Sequence, residues 1–295
     1  MRPEKTDDMR TEPAVQDTEL SYANADHPPV KRWLISAIER LSGREHLLGY
    51  YRSWRDALIA GSSCMWSDLL ALVGISVVVE EGVWPPAELP EGPLVMIANH
   101  PYGLGDGLAI LSLAERLGRP FRILINNELM KAPEIRPFAL PIDFEESAEA
   151  LRTNMATRRE ALRLIGEGVT IIVFPGGGVA TASRPFGPAR ELPWKTFTAK
   201  MIRASRATVL PLYFEGQNSA LFHLVSRLSL TLRLSMYVHE FRRIIGSELK
   251  VRIGAPIPYG ELAALPDQQA VIGHLYRRVM TLAPARARDQ LLSGS

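Results

Sequence analysis

The stretch "GPLVMIANHPYGLGDGLAILSLAERLGRPFRILIN", residues 92–126, decides the fold. Its apolar run, Leu94–Ala98, offers no polar residue to turn toward water, as in a strand buried on both faces. Pro101, Gly103, Gly105 and Gly107 then break regular structure. Residues 108–117 place Ile110, Leu111, Ala114 and Leu117 on one helical face, and "FRILIN", residues 121–126, reads as a second strand. Two strands of buried type joined through a helix are the repeating unit of a parallel sheet.

The same alternation extends outward. "ISVVVE", residues 75–80, reads as a strand before this unit. After it come a long helix over residues 146–165, with its apolar stripe through Ala148, Leu151, Met155 and Leu162, and the strand "VTIIVF" at 169–174. A helix near residues 195–206 and the strand "TVLPLYF" at 208–214 follow. The prediction is an α/β fold: a mixed, largely parallel central sheet covered by helices. Residues 221–241 are apolar but interrupted by Arg227 and Arg233, with Arg242 following, so they read as a buried or surface-associated element rather than a membrane span.

Charge divides the chain. Residues 1–30 hold seven acids, three bases and four prolines without periodicity, which reads as a disordered acidic tail. That segment carries −4 in a chain of net +2, so the remainder carries +6. Residues 31–65 read as an amphipathic helical segment, residues 66–285 as the main domain and residues 286–295 as a flexible tail. Between 31 and 58, Lys31, Arg32, Arg40, Arg44, Arg52 and Arg55 lie among Trp33, Tyr50, Tyr51 and Trp54. Basic residues mixed with aromatics suit an anionic membrane surface, and equally suit helices packed on a core with charged outer faces. The basic excess is small and no nucleic-acid module is present, so nucleic acid is not an expected partner. One cysteine, Cys64, allows no internal disulfide and no cysteine metal site. With no signal-peptide pattern or spanning segment, the expectation is a cytoplasmic protein, peripheral on the inner face of the cell membrane.

The loop "NHPYGLGDG", residues 99–107, carries the chemistry. His100 ends a strand and Asp106 begins a helix, which puts both at the carboxyl edge of the sheet, where open α/β folds bind ligands. A histidine there can serve as a general base near neutral pH, and a carboxylate on its other nitrogen fixes the tautomer. The alternative is that Asp106 caps the helix while His100 satisfies loop backbone groups. Other motifs fail: the GxGxxG spacing is absent, "FPGGGVAT" lacks the GK[ST] ending of a P-loop, and "HEFRR" lacks a second zinc-binding histidine. There is no GxSxG elbow for a serine nucleophile.

"NHPYGLGDG", followed in order by "INNELMKAPEIRPFALPID" (125–143), "IIVFPGGGVAT" (171–181) and "VLPLYFEGQNS" (209–219), resembles the lysophospholipid acyltransferase superfamily. Within it, the sequence is most similar to a bacterial hemolysin-like branch that includes acyltransferases of ornithine-lipid synthesis. The resemblance implies a glycerolipid acyltransferase-like fold and transfer of a fatty acyl group from a thioester, on acyl carrier protein or coenzyme A, to a lysolipid hydroxyl. It assigns His100 as base and Asp106 as its support, with Asn99, Tyr102 and Gly103 on the substrate side of the loop. It also implies that Lys131 and Arg136 help bind the acceptor, that Phe174, Pro175, Gly176, Gly177 and Gly178 line the pocket, and that Pro211 marks the fourth motif. No metal or bound cofactor is implied. The alternative for a chain with this fold is a noncatalytic lipid-binding or membrane-perturbing protein, against which the intact His100 and Asp106 speak.

Two departures from the family pattern shape the expected acceptor. Five residues rather than four separate His100 from Asp106. The third motif has Gly176 in place of a glutamate and Val179 in place of the arginine that would grip a phosphate. Arg184, five residues beyond Val179, is the next base downstream. The expectation is therefore an acceptor without a phosphate monoester, such as a lyso-ornithine lipid. Lys131 or Arg136 would hold its carboxylate, and the glycines would leave room for a bulky headgroup.

Overall fold

Strand β2, Leu94–Ala98, is buried along its whole length, as a strand covered on both faces must be. It lies at the centre of a seven-stranded sheet in the computed structural model, which describes residues 44–59, 64–89, 91–144, 147–184, 186–228, 230–285 and 287–288. The other strands are β1 (Ser76–Glu81), β3 (Phe121–Asn126), β4 (Ala139–Ile142), β5 (Thr170–Val173), β6 (Thr208–Phe214) and β7 (Glu248–Ile253). Their order is β1-β7-β6-β2-β5-β3-β4, and every neighbouring pair is parallel except β6 with β7. The sheet is thus mixed and largely parallel, as the alternation predicts.

Helices cover both faces. They are α1 (Arg44–Ile59), α2 (Met65–Leu72), α3 (Leu104–Glu115), α4 (Ala148–Gly166), α5 (Phe197–Ser205), α6 (Ala220–Leu228), α7 (Leu230–Ile244), α8 (Tyr259–Ala263) and α9 (Gln268–Thr281). The two-residue period of β2 sends Leu94, Met96 and Ala98 toward Trp54, Trp66, Ile110 and Phe241, from α1, α2, α3 and α7. Val95 and Ile97 face the opposite layer, with Ala161 and Ile165 of α4, Ile202 of α5 and Leu275 of α9.

The crossovers create the site. From β2 the chain passes through α3, on the first face, to β3 beyond β5; from β5 it passes through α5, on the second face, to β6 beyond β2. Adjacent strands β2 and β5 therefore send their continuations in opposite directions, and a crevice opens at their carboxyl ends. Pro211 sits in β6 between the Val209–Ile257 bridge and the β7 pairing that begins at Leu212, and its carbonyl accepts the Gly254 N–H there at 2.9 Å.

Several expectations change. Helix α3 starts at Leu104, not 108, because Gly103, at φ 82°, turns the chain into the helix. The stripe assigned to α4 lies on the wrong face: Leu151, Met155 and Leu162 are exposed, while Ala150, Thr157, Ala161, Leu164 and Ile165 are buried. In α1, Leu48 and Trp54 join the core, and the Trp54 indole donates to the Met65 carbonyl (2.8 Å). Tyr51 donates to Glu134 (2.7 Å), and Arg55 lies 3.5 Å from the same carboxylate. These aromatics pack on the domain. Lys31, Arg32, Trp33 and Arg40, the tail at 1–30 and most of 286–295 lie outside the described residues.

Candidate active site

His100 and Phe174 leave the ends of β2 and β5 side by side, and their rings stack with centroids 3.9 Å apart and planes 22° from parallel. Asp106 lies in the first turn of α3, fully buried, with Oδ1 2.9 Å from His100 Nδ1. Its Oδ2 accepts the Tyr102 backbone N–H at 2.9 Å. The amino end of the helix favours a carboxylate here, alongside the Tyr102 N–H and the nearby imidazole. Gly103 turns the loop at φ 82°, and a β-carbon there would meet Val179 Cγ2 at 3.0 Å and the Tyr237 ring at 3.3 Å.

A side chain invisible to motif reading completes the loop. After "FPGGG" the chain makes a long excursion, closed by paired bonds between Thr181 and Arg190 (3.0 Å each) and by the Lys195 N–H to the Pro175 carbonyl (3.0 Å). The returning segment delivers Glu191, whose Oε1 accepts the His100 backbone N–H at 2.9 Å and whose Oε2 accepts the Trp194 indole at 3.3 Å. Loss of water pushes the Glu191 carboxyl up to about 7, against the opposing pull of the His100 backbone bond. A β-carbon at Gly176 would sit 3.3 Å from Glu191 Oε2 and 3.2 Å from the Leu192 carbonyl.

The glycines therefore do not leave open room. Glu191 and Leu192 fill the space at Gly176, Lys195 Nζ stands 3.3 Å from a β-carbon at Gly177, and Leu192 Cδ1 would be 2.9 Å from one at Gly178. Nor does Val179 leave the place without a cation. Arg233 of α7 reaches across and donates to the Val179 carbonyl at 2.7 Å. The signal for Glu191 and Arg233 is spatial: they lie 91 and 133 positions beyond His100, and only the crossovers bring them there.

The predicted residues divide accordingly. His100, Asp106, Gly103, Phe174, Pro175 and Gly176–178 gather around the β2–β5 crevice, whereas Tyr102 gives the loop its backbone N–H and sends its phenol the other way, against Gly216 beyond the end of β6. Asn99 is buried, and its amide exchanges two bonds with the Phe214 backbone (2.7 and 2.8 Å), tying β2 to β6 beneath the loop. Arg136 is exposed in the β3–β4 crossover and donates to the Met130 carbonyl (2.9 Å). Arg184 is exposed on the excursion. The Lys131 side chain lies outside what the structure describes. Among the described residues, no group of three His, Cys, Asp or Glu side chains is placed to hold a metal ion.

Sequence comparisons with known proteins agree on acyl transfer. A family model described as Acyltransferase matches residues 80–282. A lyso-glycine lipid O-acyltransferase of Phocaeicola vulgatus is 29% identical over 184 residues, 58% of this chain and 62% of the relative. Its namesake in Bacteroides thetaiotaomicron is 28% identical over 184 residues, 57% of this chain and 62% of the relative. The chain thus spans less than two thirds of the length of either relative. Among solved structures, the crystal structure of the 1-acyl-sn-glycerophosphate (LPA) acyltransferase PlsC from Thermotoga maritima aligns with a TM-score of 0.48 and 17% identity, over 90% of this chain and 82% of that one.

Proposed function

The chain belongs to the acyltransferase family matched over residues 80–282, and from that premise we propose that it moves a fatty acyl group from a thioester to the hydroxyl of a lysolipid. The observation that carries this reading is the His100–Asp106 contact, 2.9 Å long with the carboxylate fully buried. A buried carboxylate this close to Nδ1 favours the hydrogen on that nitrogen and leaves the Nε2 lone pair for substrate. Nε2 takes the acceptor's hydroxyl proton as the oxygen bonds to the thioester carbonyl carbon. When the tetrahedral intermediate collapses, the carbon–sulfur bond breaks and the proton passes to the leaving sulfur. Stacking on Phe174 and the Glu191 bond hold the imidazole and its backbone in place meanwhile.

The donor is an acyl group on acyl carrier protein or coenzyme A. The acceptor is a lysolipid with an amino-acid headgroup: lyso-glycine lipid is named for the two relatives, and lyso-ornithine lipid is implied by the motif resemblance. An amino acid joined to lipid through its amine keeps a free carboxylate. Such an acceptor resides in a bilayer, so the enzyme works peripherally at an anionic membrane surface; no helix among the described residues is long and apolar enough to cross one.

Purified protein given acyl thioesters and a panel of lysolipids, with products read by mass spectrometry, tests the reading. Acylated lysolipid is expected, and folded His100→Ala should lose roughly 100- to 10,000-fold in turnover. Asp106→Asn should also be slow, because an amide stabilises imidazolium poorly. Full turnover in folded His100→Ala sinks the base assignment. Free fatty acid without acceptor acylation would show that water is the acceptor.

A further inference from the structure

We infer that Arg233 of α7 holds the anionic headgroup of the acceptor, an inference that rests on the acyl-transfer reading above. Arg233 is half-buried beside the third-motif loop: one terminal nitrogen donates to the Val179 carbonyl (2.7 Å) and lies 3.7 Å from where a β-carbon of Gly178 would be. Its guanidinium carbon sits 5.9 Å from the centre of the Phe222 ring, and its Nε is buried without a hydrogen-bond partner among the described residues. Its other polar neighbour is the Tyr237 hydroxyl, which burial pushes above the ordinary phenol range while Arg233 pulls the other way.

No carboxylate offsets this cation among the described residues. The one acid of its own helix, Glu240, is buried and committed elsewhere: it accepts from the Ser219 backbone (2.9 Å), the Ser219 hydroxyl and Arg243 (2.8 Å). A guanidinium offers five donors in a rigid fork, and a half-buried one without a counter-ion bears a desolvation cost that an incoming anion removes. The carbonyl bond aims the fork without neutralising it.

The location matches the reacting centre. Val179 precedes Ala180, whose N–H donates to the His100 carbonyl at 2.8 Å, and Val179 and Tyr237 both abut Gly103 of the catalytic loop. The anchor of Arg233 is thus one peptide from the backbone of the general base. An acceptor presenting its hydroxyl to His100 places its headgroup against α7. The shared chemistry recognised is an oxyanion, either an amino-acid carboxylate or a phosphate monoester.

The test compares matched acceptors in the full chain: N-(3-hydroxyacyl)glycine, its neutral amide, and lysophosphatidate. Wild type is expected to have a KM roughly 10- to 100-fold lower for an anionic acceptor than for the amide, the range of a charged hydrogen bond. Arg233→Met should erase that preference by raising KM for the anion, with KM for the thioester unchanged and kcat within about threefold; Arg233→Lys should restore part of it. Loss confined to the glycine acceptor identifies a carboxylate, and loss confined to lysophosphatidate identifies a phosphate. Wild type without preference, or equal losses on anion and amide in folded variants, overturns the inference. If no acceptor is acylated, the acyl-transfer reading fails by itself. Direct titration of wild type and Arg233→Met with the glycine lipid, its amide and lysophosphatidate then decides Arg233: anion-selective binding lost in the variant supports it, and equal binding overturns it.

Discussion

Glu191 shows how a residue outside every motif can govern one inside it. Its carboxyl titrates near 7, so between its ordinary 4.5 and about 7 the folded protein binds a proton that the unfolded chain does not. The stability this contributes is fully present below 4.5 and lost as pH rises through 7. Glu191→Gln keeps the shape without the charge, so its melting temperature should rise relative to wild type between about pH 5 and about pH 8. Allowing for solvent on the half-buried side chain, the expected gain is on the order of 1 kcal/mol, or roughly 2–4 °C. A variant-minus-wild-type difference that is flat with pH would show that Glu191 carries no such penalty. The His100–Asp106 pair is legible in the sequence because a histidine and an aspartate lie in one short loop ended by a strand and a helix. Glu191 and Arg233 are not, since no local pattern marks a residue whose partner is reached only through crossovers. Val179, read alone, points to a site without a cation; the cation comes from another helix.

At the scale of elements, the strands are the clearest part of the sequence. β3 and β6 match their predicted bounds end to end: β6 is buried from Val209 to Phe214, as a strand covered on both faces must be, and β3 alternates buried Phe121 and Ile123 with partly exposed Arg122 and Leu124. β4 is not legible: four residues with Pro141 inside make a weak signal for a strand that lies at the sheet edge. β7 is hidden although Leu249, Val251 and Ile253 are buried in alternation, because it follows a helical hairpin and reverses direction against β6. Helix α4 misleads for a different reason. Its large apolar residues face outward and its inner face is built from alanine, threonine and the last-turn Leu164 and Ile165, so hydrophobicity alone selects the wrong side. Leu151→Gln and Leu162→Gln should therefore change stability by no more than ~0.5 kcal/mol. Ala161→Gln, which forces a longer polar side chain against the sheet, should cost roughly 1–3 kcal/mol or more. Urea unfolding of the three variants decides, and a larger loss at Leu151 or Leu162 than at Ala161 would return the stripe to the inside.

At the scale of the whole molecule, the separation of charge is plain in the sequence itself. Residues 1–28 hold seven acids and three bases, so removing this −4 segment from a chain of +2 leaves +6. An enzyme whose acceptor sits in a bilayer gains encounter rate from a basic body and loses some to an acidic segment attached to it, since both act through the same surface potential. Within the described helix α1, the packing of Trp54 and the engagement of Tyr51 and Arg55 with Glu134 take those side chains out of the pool available to lipid. On the proposed membrane-surface reading, attraction rests on the net field rather than on a dedicated aromatic anchor, and a field is screened over ~10 Å at 0.1 M salt. Sedimentation with anionic vesicles should accordingly show binding that weakens steeply as salt rises, at least tenfold between about 0.05 and about 0.5 M. The protein lacking residues 1–28 should bind as tightly or more tightly at every salt concentration. Neutral vesicles should bind weakly and with little salt dependence. Equal binding to neutral and anionic vesicles across that range would mean that apolar contact, not charge, brings the site to its lipid.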